Sequence, residues 1–256
     1  VVTADHFIGE LNRFQQCVSY ALAIAAETNE FVTFGIPPTR PETGYGYIHI
    51  DRANDQACIS TPQAFRSVAF KEKPDFDTAV QYVASRNYLW NSGMFFFSIT
   101  GFRRNLELAQ PATAVALRDI VQALESGDHV SAKSCFETIP NLSIDYAVME
   151  KVPYVLTVPA TFSWDDVGAW DALERTAEAG EANNAVRGNP ILVDVSSSVI
   201  VQADPTVHVA LLGVQDLIVV STKHAVMVCH KSQAQRVREL ARLVKLLEEE
   251  SKVDSL

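Results

Sequence analysis

The chain has 256 residues, 48% of them hydrophobic, 9% aromatic and 20% charged, with a formal net charge of −10 spread along its length. This composition builds a sizeable core and excludes disordered and collagen-like classes. The acidic balance argues against a nucleic-acid or membrane partner, since both call for a basic face that displaces counterions.

Apolar runs such as Tyr20–Ala26 are far short of the roughly 20 residues that span a bilayer, so no transmembrane helix is expected. Cys17, Cys58, Cys135 and Cys229 lie far apart with no C-x-x-C pair, which reads as buried thiols in a reducing cytoplasmic setting. The six histidines, His6, His49, His129, His208, His224 and His230, are scattered, and none reads as a metal ligand.

The chain opens on Val1 with no initiator methionine, and Val1–Ala4 reads as a short buried strand running into Asp5. An upstream part of the sheet is therefore expected to precede the sequence. A helix is expected up to Asn29, with Phe7, Leu11, Phe14, Val18, Leu22 and Ala25 recurring every three to four residues. Phe31–Ile36 reads as a strand, Pro37–Gly44 as an ordered loop and Tyr45–Asp51 as a second strand. Ser67–Lys71 is expected to be a strand ending in Glu72-Lys73-Pro74, with Asp75 capping a helix to about Ser85. Leu89–Ile99 reads as another strand, entered through Asn91-Ser92-Gly93. Residues 100–150 are mostly helical in pattern, interrupted at Gly127 and at Pro140-Asn141. Alternating strands and helices predict an α/β domain with a mixed sheet.

From Gly188 the pattern changes to short β-rich runs: Ile191–Val193, Val199–Val201, Val207–Leu212, Leu217–Val220 and Val226–Val228. They predict a small all-β, solenoid-like or barrel domain, followed by an amphipathic terminal helix over Lys231–Lys252. The trailing Glu248-Glu249-Glu250 opposes the helix macrodipole, so fraying is expected there.

Four segments carry polar chemistry. Gly44 and Gly46, interleaved with Tyr45 and Tyr47, allow either a ligand laid against the main chain or a tight bend without one. Glu72-Lys73 at a strand end offers a carboxylate for a sugar hydroxyl and an ammonium for a phosphate, or is a solvated charge pair. Asn91 supplies an amide that donates and accepts, or simply makes a turn with Ser92 and Gly93. Asp165-Asp166, between Trp164 and Trp170, provides one metal ligand and one cap, or two caps of a helix entering at Gly168. Asp5 is the second candidate carboxylate, and Mg2+ typically takes only one or two protein carboxylates plus phosphate oxygens.

With these segments in place the chain resembles the mannose-1-phosphate guanylyltransferases, or GDP-mannose pyrophosphorylases, a family of sugar-1-phosphate nucleotidyltransferases. The resemblance lies in ADH at Ala4–His6, FGIPPTRPETGYGYI at Phe34–Ile48, FKEKPD at Phe70–Asp75, LWNSGMFFF at Leu89–Phe97, SIDYAVMEK at Ser143–Lys151 and WDDVGAW at Trp164–Trp170. It implies a Rossmann-like nucleotidyltransferase domain with a mixed sheet over residues 1–180. A small β-helical domain with a terminal helix then fills 181–256.

It also implies formation of GDP-mannose and pyrophosphate from GTP and mannose 1-phosphate. Asp5 and Asp166 would hold catalytic Mg2+, Gly46, Glu72 and Asn91 would bind the sugar, and Lys73 would contact its phosphate. Alternatives are a glucose 1-phosphate enzyme of the same family and a non-catalytic homologue that binds nucleotide-sugar for regulation. Where the family has proline this chain has Thr3. The family's Gly-rich triphosphate loop is expected upstream of Val1, so the chain as given is expected to be inactive alone. An exposed solenoid edge offers a contact for homo-oligomerisation.

Overall fold

The computed structural model describes residues 1–50, 64–168, 170, 172–176 and 181–253, with side chains described for all of these except 235 and 247–253. The chain divides into two units, residues 1–4 with 8–164, and residues 5–7 with 165–256. Cys58 and Asp51, named above, lie outside the described residues.

The expected strand at Val1–Ala4 does not form. Val1 exchanges backbone hydrogen bonds with Phe95, but no ladder continues from it, and the Val1 and Val2 side chains are exposed. A short strand, β1 (Phe7–Ile8), then precedes α1 (Leu11–Thr28). The helix starts later than its periodicity predicted because Glu10 adopts a left-handed backbone and turns its carboxylate to the Ser163 N–H, 2.7 Å away. Its buried face is Cys17, Ala21, Ile24 and Ala25 with Phe14 and Val18, whereas Leu11 and Leu22 are exposed. Small residues let the helix lie close to the sheet, so the largest side chains were a poor guide to the inner face.

The sheet of this unit holds β2 (Val32–Ile36), β3 (Gly46–Ile50), β4 (Phe65–Glu72), β5 (Tyr88–Phe96) and β6 (Leu156–Pro159). It is mixed, as expected. The strands follow the order β2-β5-β3-β4-β6 and close on themselves, since β6 runs parallel to β2 and antiparallel to β4. One face packs Phe34, Tyr47, Trp90, Phe96 and Val158 with α1; Ile48, Ile50, Phe65 and Leu89 cluster on the other. Between β4 and β5, α2 (Phe76–Ser85) starts at Asp75, whose side chain accepts from the Thr78 N–H. That bond, with the Thr78 hydroxyl, holds the Asp75 carboxyl below its usual range.

Asn91-Ser92-Gly93 lies inside β5 and not in a turn before it; the β2–β5 register shifts between Thr33 and Gly35 opposite this stretch. After β5 come α3 (Ile99–Ala109), α4 (Pro111–Glu125) and α5 (His129–Glu137), broken near Gly127 and Pro140 as the pattern predicted. A π-turn over Asp145–Met149 buries Val148 and Met149 against Phe31, Phe95 and Leu106.

In the second unit, β7 (Trp164–Asp165), which begins at the division, and α6 (Ala172–Thr176) lead into a solenoid. Strands β8 (Ala185–Arg187), β10 (Val199–Gln202) and β12 (Leu217–Ser221) stack in parallel; β9 (Ile191–Val193) and β11 (Ala210–Leu212) form a second parallel pair. Strand β10 is buried throughout, and four of the five residues of β12 are, which is why VIVQ and LIVVS read as nearly continuous apolar runs. Buried Asn184 ties rungs together by donating to Glu181 and Val195 carbonyls and accepting from the Ser198 N–H. Antiparallel β13 (Val226–His230) closes this sheet. The terminal segment opens as a 3-10 turn over Lys231–Arg236 and becomes helical as α7 (Val237–Val253). Cys17 is buried as expected, but Cys135 and Cys229 are only half-buried; all three are free thiols.

Gly35 tests the packing of the closed sheet. A Cβ there would lie 2.5 Å from Leu89 Cδ1 and 2.6 Å from Thr157 Cγ2. Gly35→Ala is expected to cost about 1–3 kcal/mol, and each kcal/mol lowers Tm by roughly 2–4 °C in a domain of this size. An unchanged thermal transition would show that this face is not tightly packed.

Candidate functional site

Strand register brings three of the expected residues into one row. Gly46 of β3 faces Glu72 of β4, and one step beyond the Tyr47–Trp90 pair the same antiparallel register sets Gly46 beside Asn91 of β5. Asn91 in turn faces Gly35 of β2. The row Gly35, Asn91, Gly46, Glu72 thus crosses four neighbouring strands, with polar groups separated by glycines.

Gly46 has a defined steric reason to be glycine. A Cβ would stand 2.5 Å from Glu72 Oε2 and 3.0 Å from Phe70 Cζ, so the glycine makes room for the Glu72 carboxylate to lean over β3. Glu72 is mostly buried and pairs with Lys73 Nζ at 3.1 Å, while the Lys73 side chain is 61% exposed. Lys73 has a left-handed backbone, φ 47°, and its N–H donates to the Tyr45 carbonyl. Positive φ on a non-glycine residue costs of order 1 kcal/mol, and such strain tends to gather at functional sites. Here it turns the chain sharply before Pro74 and leaves the ammonium on an exposed stem beside a fixed carboxylate.

The neighbouring loop is ordered by its own polar groups. The Tyr47 hydroxyl donates to the Glu42 carbonyl and accepts from its N–H; the Glu42 carboxylate accepts from Gly44 N–H and pairs with Arg40 at 3.1 Å. The Arg40 guanidinium lies 5.0 Å from the Trp90 ring centroid. Burial pushes the Tyr47 phenol above its ordinary value, so it stays a neutral donor.

Asn91 is oriented by a residue to which sequence reasoning gave no role. Its Nδ2 donates to Asp145 Oδ1 at 3.0 Å, while its Oδ1 accepts from Gly93 N–H and lies 3.3 Å from the Thr33 hydroxyl. A carboxylate accepts only, so Asp145 decides which end of the amide is nitrogen. The signal available was SIDYAVMEK itself, but nothing in it tells that a π-turn 54 residues from Asn91 returns to β5.

In the second unit, the two adjacent aspartates have separate tasks. Asp165 is buried and bound bidentately by Arg175, with Nε 2.6 Å from Oδ2 and a terminal nitrogen 3.1 Å from Oδ1; it also accepts from Val167 N–H. Asp166 is half-buried and accepts from Gly168 N–H. Neither caps a helix at Gly168, since α6 begins at Ala172. Val167, between Asp166 and Gly168, has φ 50°, a rare conformation for a β-branched residue.

Asp5 is exposed and belongs to the same unit as Asp166. Burial lowers the His6 imidazole below its ordinary value, and the charges of Asp5, Asp166 and Asp165 pull it back up, so these carboxylates lie within electrostatic reach of one ring. No group of three or more His, Cys, Asp or Glu suited to a metal occurs among the described residues. Two carboxylates with Asp165 engaged by Arg175 are a donor set that suits a hard cation completing its shell with phosphate oxygens.

Residues 1–183 match the Nucleotidyl transferase family, and residues 188–244 match the MannoseP isomerase/GMP-like beta-helix domain. The chain belongs to the nucleotidyl transferase family.

Among its relatives, the xanthan biosynthesis protein XanB of Xanthomonas campestris pv. campestris (strain B100) is 38% identical over 96% of this chain and 50% of its own length. The mannose-1-phosphate guanylyltransferase of Salmonella montevideo is 36% identical over 96% of this chain and 52% of its own. The crystal structure of mannose-1-phosphate geranyltransferase from Thermus thermophilus superposes with a TM-score of 0.81 at 32% identity, covering 96% of this chain and 69% of that one. The chain spans about half the length of the curated relatives it matches. No described helix is long and apolar enough to cross a membrane.

For this nucleotidyl transferase the Asp165–Arg175 pair is expected to be structural. Arg175→Ala strips a buried carboxylate of its bidentate partner, which costs about 3 kcal/mol. Chemical denaturation should show that loss; a midpoint shift corresponding to under about 1 kcal/mol would mean the pair is effectively solvated.

Proposed function

We propose that this chain carries the nucleotidyl-transfer chemistry of a mannose-1-phosphate guanylyltransferase, which joins GTP and mannose 1-phosphate into GDP-mannose and releases pyrophosphate. The observation that carries this reading is the row Asn91, Gly46, Glu72 with Lys73 at its end. A carboxylate and an amide with one glycine between them and an ammonium beside the carboxylate form a recognition surface for a hydroxylated ring bearing a phosphate. The names of the Salmonella and Vibrio cholerae relatives support mannose 1-phosphate as the acceptor and a guanylyl group, from GTP, as what is transferred. Free thiols at Cys17, Cys135 and Cys229 suit a cytoplasmic enzyme. In this reading residues 1–180 are the catalytic domain and 181–256 the β-helical one.

The sugar phosphate, with a second pKa of about 6, is already largely dianionic at pH 7 and attacks the α-phosphorus without a dedicated base. Catalysis then consists of positioning and charge neutralisation. Glu72 accepts from sugar hydroxyls, and Asn91, held by Asp145, offers its second N–H. Lys73 moves from Glu72 to the incoming phosphate, an exchange that its exposed stem allows. Asp5 and Asp166 would hold Mg2+, which when bound neutralises the phosphates that must approach one another.

Two sets of substitutions test these roles. In the intact protein, Asp5→Asn and Asp166→Asn are each expected to lower turnover at least about a hundredfold. Asp165→Asn should lower stability more than turnover. Equal turnover losses at positions 165 and 166 would show that the metal carboxylates are misassigned. Lys73→Ala is expected to weaken mannose 1-phosphate by roughly 10- to 150-fold, the worth of one charge-assisted hydrogen bond, and to affect GTP far less. A larger Michaelis-constant increase for GTP would move Lys73 to the nucleotide side.

A further inference from the structure

The Asp145 carboxylate uses only one of its two oxygens. Oδ1 accepts from Asn91 Nδ2 at 3.0 Å, and Oδ2 has no hydrogen-bond partner among the described residues. The residue is half-buried, but Oδ2 is not sealed in the interior, so it is open to a donor from outside the protein.

Asn91 has the complementary shortage. Its Oδ1 is engaged by Gly93 N–H and lies beside the Thr33 hydroxyl, and one of its N–H groups goes to Asp145, so a single N–H remains for a ligand. A sugar hydroxyl both accepts and donates, and Asn91 by itself meets only the accepting half. Glu72 stands across Gly46, two strands away, which is roughly 10 Å at the backbone because neighbouring strands lie about 4.8 Å apart. A ring lying along the row meets Glu72 at one end, and a hydroxyl at the other end needs an acceptor of its own. Asp145 Oδ2 belongs to the same carboxylate that holds Asn91.

The fold also keeps Asp145 in place. Its turn, Asp145–Met149, has the wide π geometry, which is rare and is frequent at functional sites. Val148 and Met149 are buried in the cluster that contains Leu106 of α3. Gln110, where α3 meets α4, donates from Nε2 to the Ala147 carbonyl at 3.1 Å. Packing and a side-chain bond therefore fix a segment whose first residue is a carboxylate facing the sheet.

We propose that Asp145 is a further sugar-binding and specificity-determining residue. Its Oδ1 fixes Asn91 as a donor, and its Oδ2 accepts the proton of the hydroxyl to which Asn91 donates. Donor and acceptor then close on one hydroxyl at the end of the row opposite Glu72 and Lys73. This deepens the sugar-phosphate reading above and rests on it.

Steady-state kinetics of the intact protein with mannose 1-phosphate and its 2-, 3-, 4- and 6-deoxy analogues test the contact. Asp145→Asn keeps the side-chain volume and an acceptor for Asn91 but sets an NH2 where Oδ2 stands. It is expected to raise the Michaelis constant for mannose 1-phosphate by roughly 10- to 150-fold, the range for one hydrogen bond to a charged group, and to leave that for GTP nearly unchanged. In the unmodified protein one deoxy analogue should lose at least about tenfold in kcat/KM. In Asp145→Asn that one penalty should vanish and the others persist, the non-additivity of two groups in contact. A positioning role alone would leave every penalty in place, because the variant still holds Asn91. Each penalty is a ratio within one variant, so a partly unfolded preparation does not alter it. Failure of the unmodified protein to form GDP-mannose would overturn the reading above and this proposal with it. Turnover with every deoxy penalty undiminished in Asp145→Asn, or with a larger effect on GTP than on the sugar phosphate, would overturn this proposal alone.

Discussion

The register of β3 between β4 and β5 is the constraint on which the first unit depends. A strand has a side-chain period of two, so the register that sets the Tyr47 ring 5.3 Å from Tyr82 of α2 also commits Gly46 and Ile48 to the opposite face. On that face the neighbours follow the same parity: Leu89 and Asn91 on β5, Phe70 and Glu72 on β4. Apolar members of the set fill the interior, and polar members end it. A slip of β3 by one residue would take Tyr47 out of its cluster and drive its ring against Ile48's present neighbours while removing Gly46 from beside Glu72, so the hydrophobic effect that sets the core also places the glycine of the polar row.

Glycine makes this arrangement sterically feasible. Gly35 admits Leu89 and Thr157 side chains from its neighbours, and Gly46 admits the Glu72 carboxylate. Asn91 then receives its orientation from outside the sheet, through Asp145. Asn91 is thus fixed through Asp145 Oδ1, an atom that does not itself need to touch a ligand, whereas Glu72 is paired with Lys73, whose exposed stem leaves it free to exchange partners.

The second unit separates two chemically identical neighbours. Arg175 satisfies both oxygens of Asp165 in a buried setting, whereas Asp166 turns its Oδ1 to Gly168 N–H around the left-handed Val167. One aspartate anchors the segment and the other is presented by it. Later in the chain the solenoid supplies rigidity through β10 and β12, the two parallel strands buried along nearly their whole length, and Asn184 and Ser198 satisfy the backbone groups that the rung corners would otherwise strand.

Much of this was legible locally. Asp75 announced α2, prolines and Gly127 marked breaks, and β10 and β12 showed as short apolar runs, because caps, turns and two-sided burial leave their trace within a few residues. The PETGYGYI, FKEKPD and NSGMF segments pointed to Gly46, Glu72 and Asn91, though not to Gly35, and the two family matches bear out the order of the domains. Other features lay beyond local pattern. Phe7, Leu11 and Leu22 suited a helix stripe, yet the inner face of α1 was chosen by what could approach a sheet assembled from segments far along the chain. Asn91-Ser92-Gly93 has turn composition, but strand pairing on both sides holds it extended. Only the tertiary structure gave Asp165 to Arg175 and Asp145 to Asn91, because hydrogen-bond partners are selected by proximity in space. Composition and spacing determine which chemistry the chain can offer; packing of distant segments decides which groups are engaged and which remain presented.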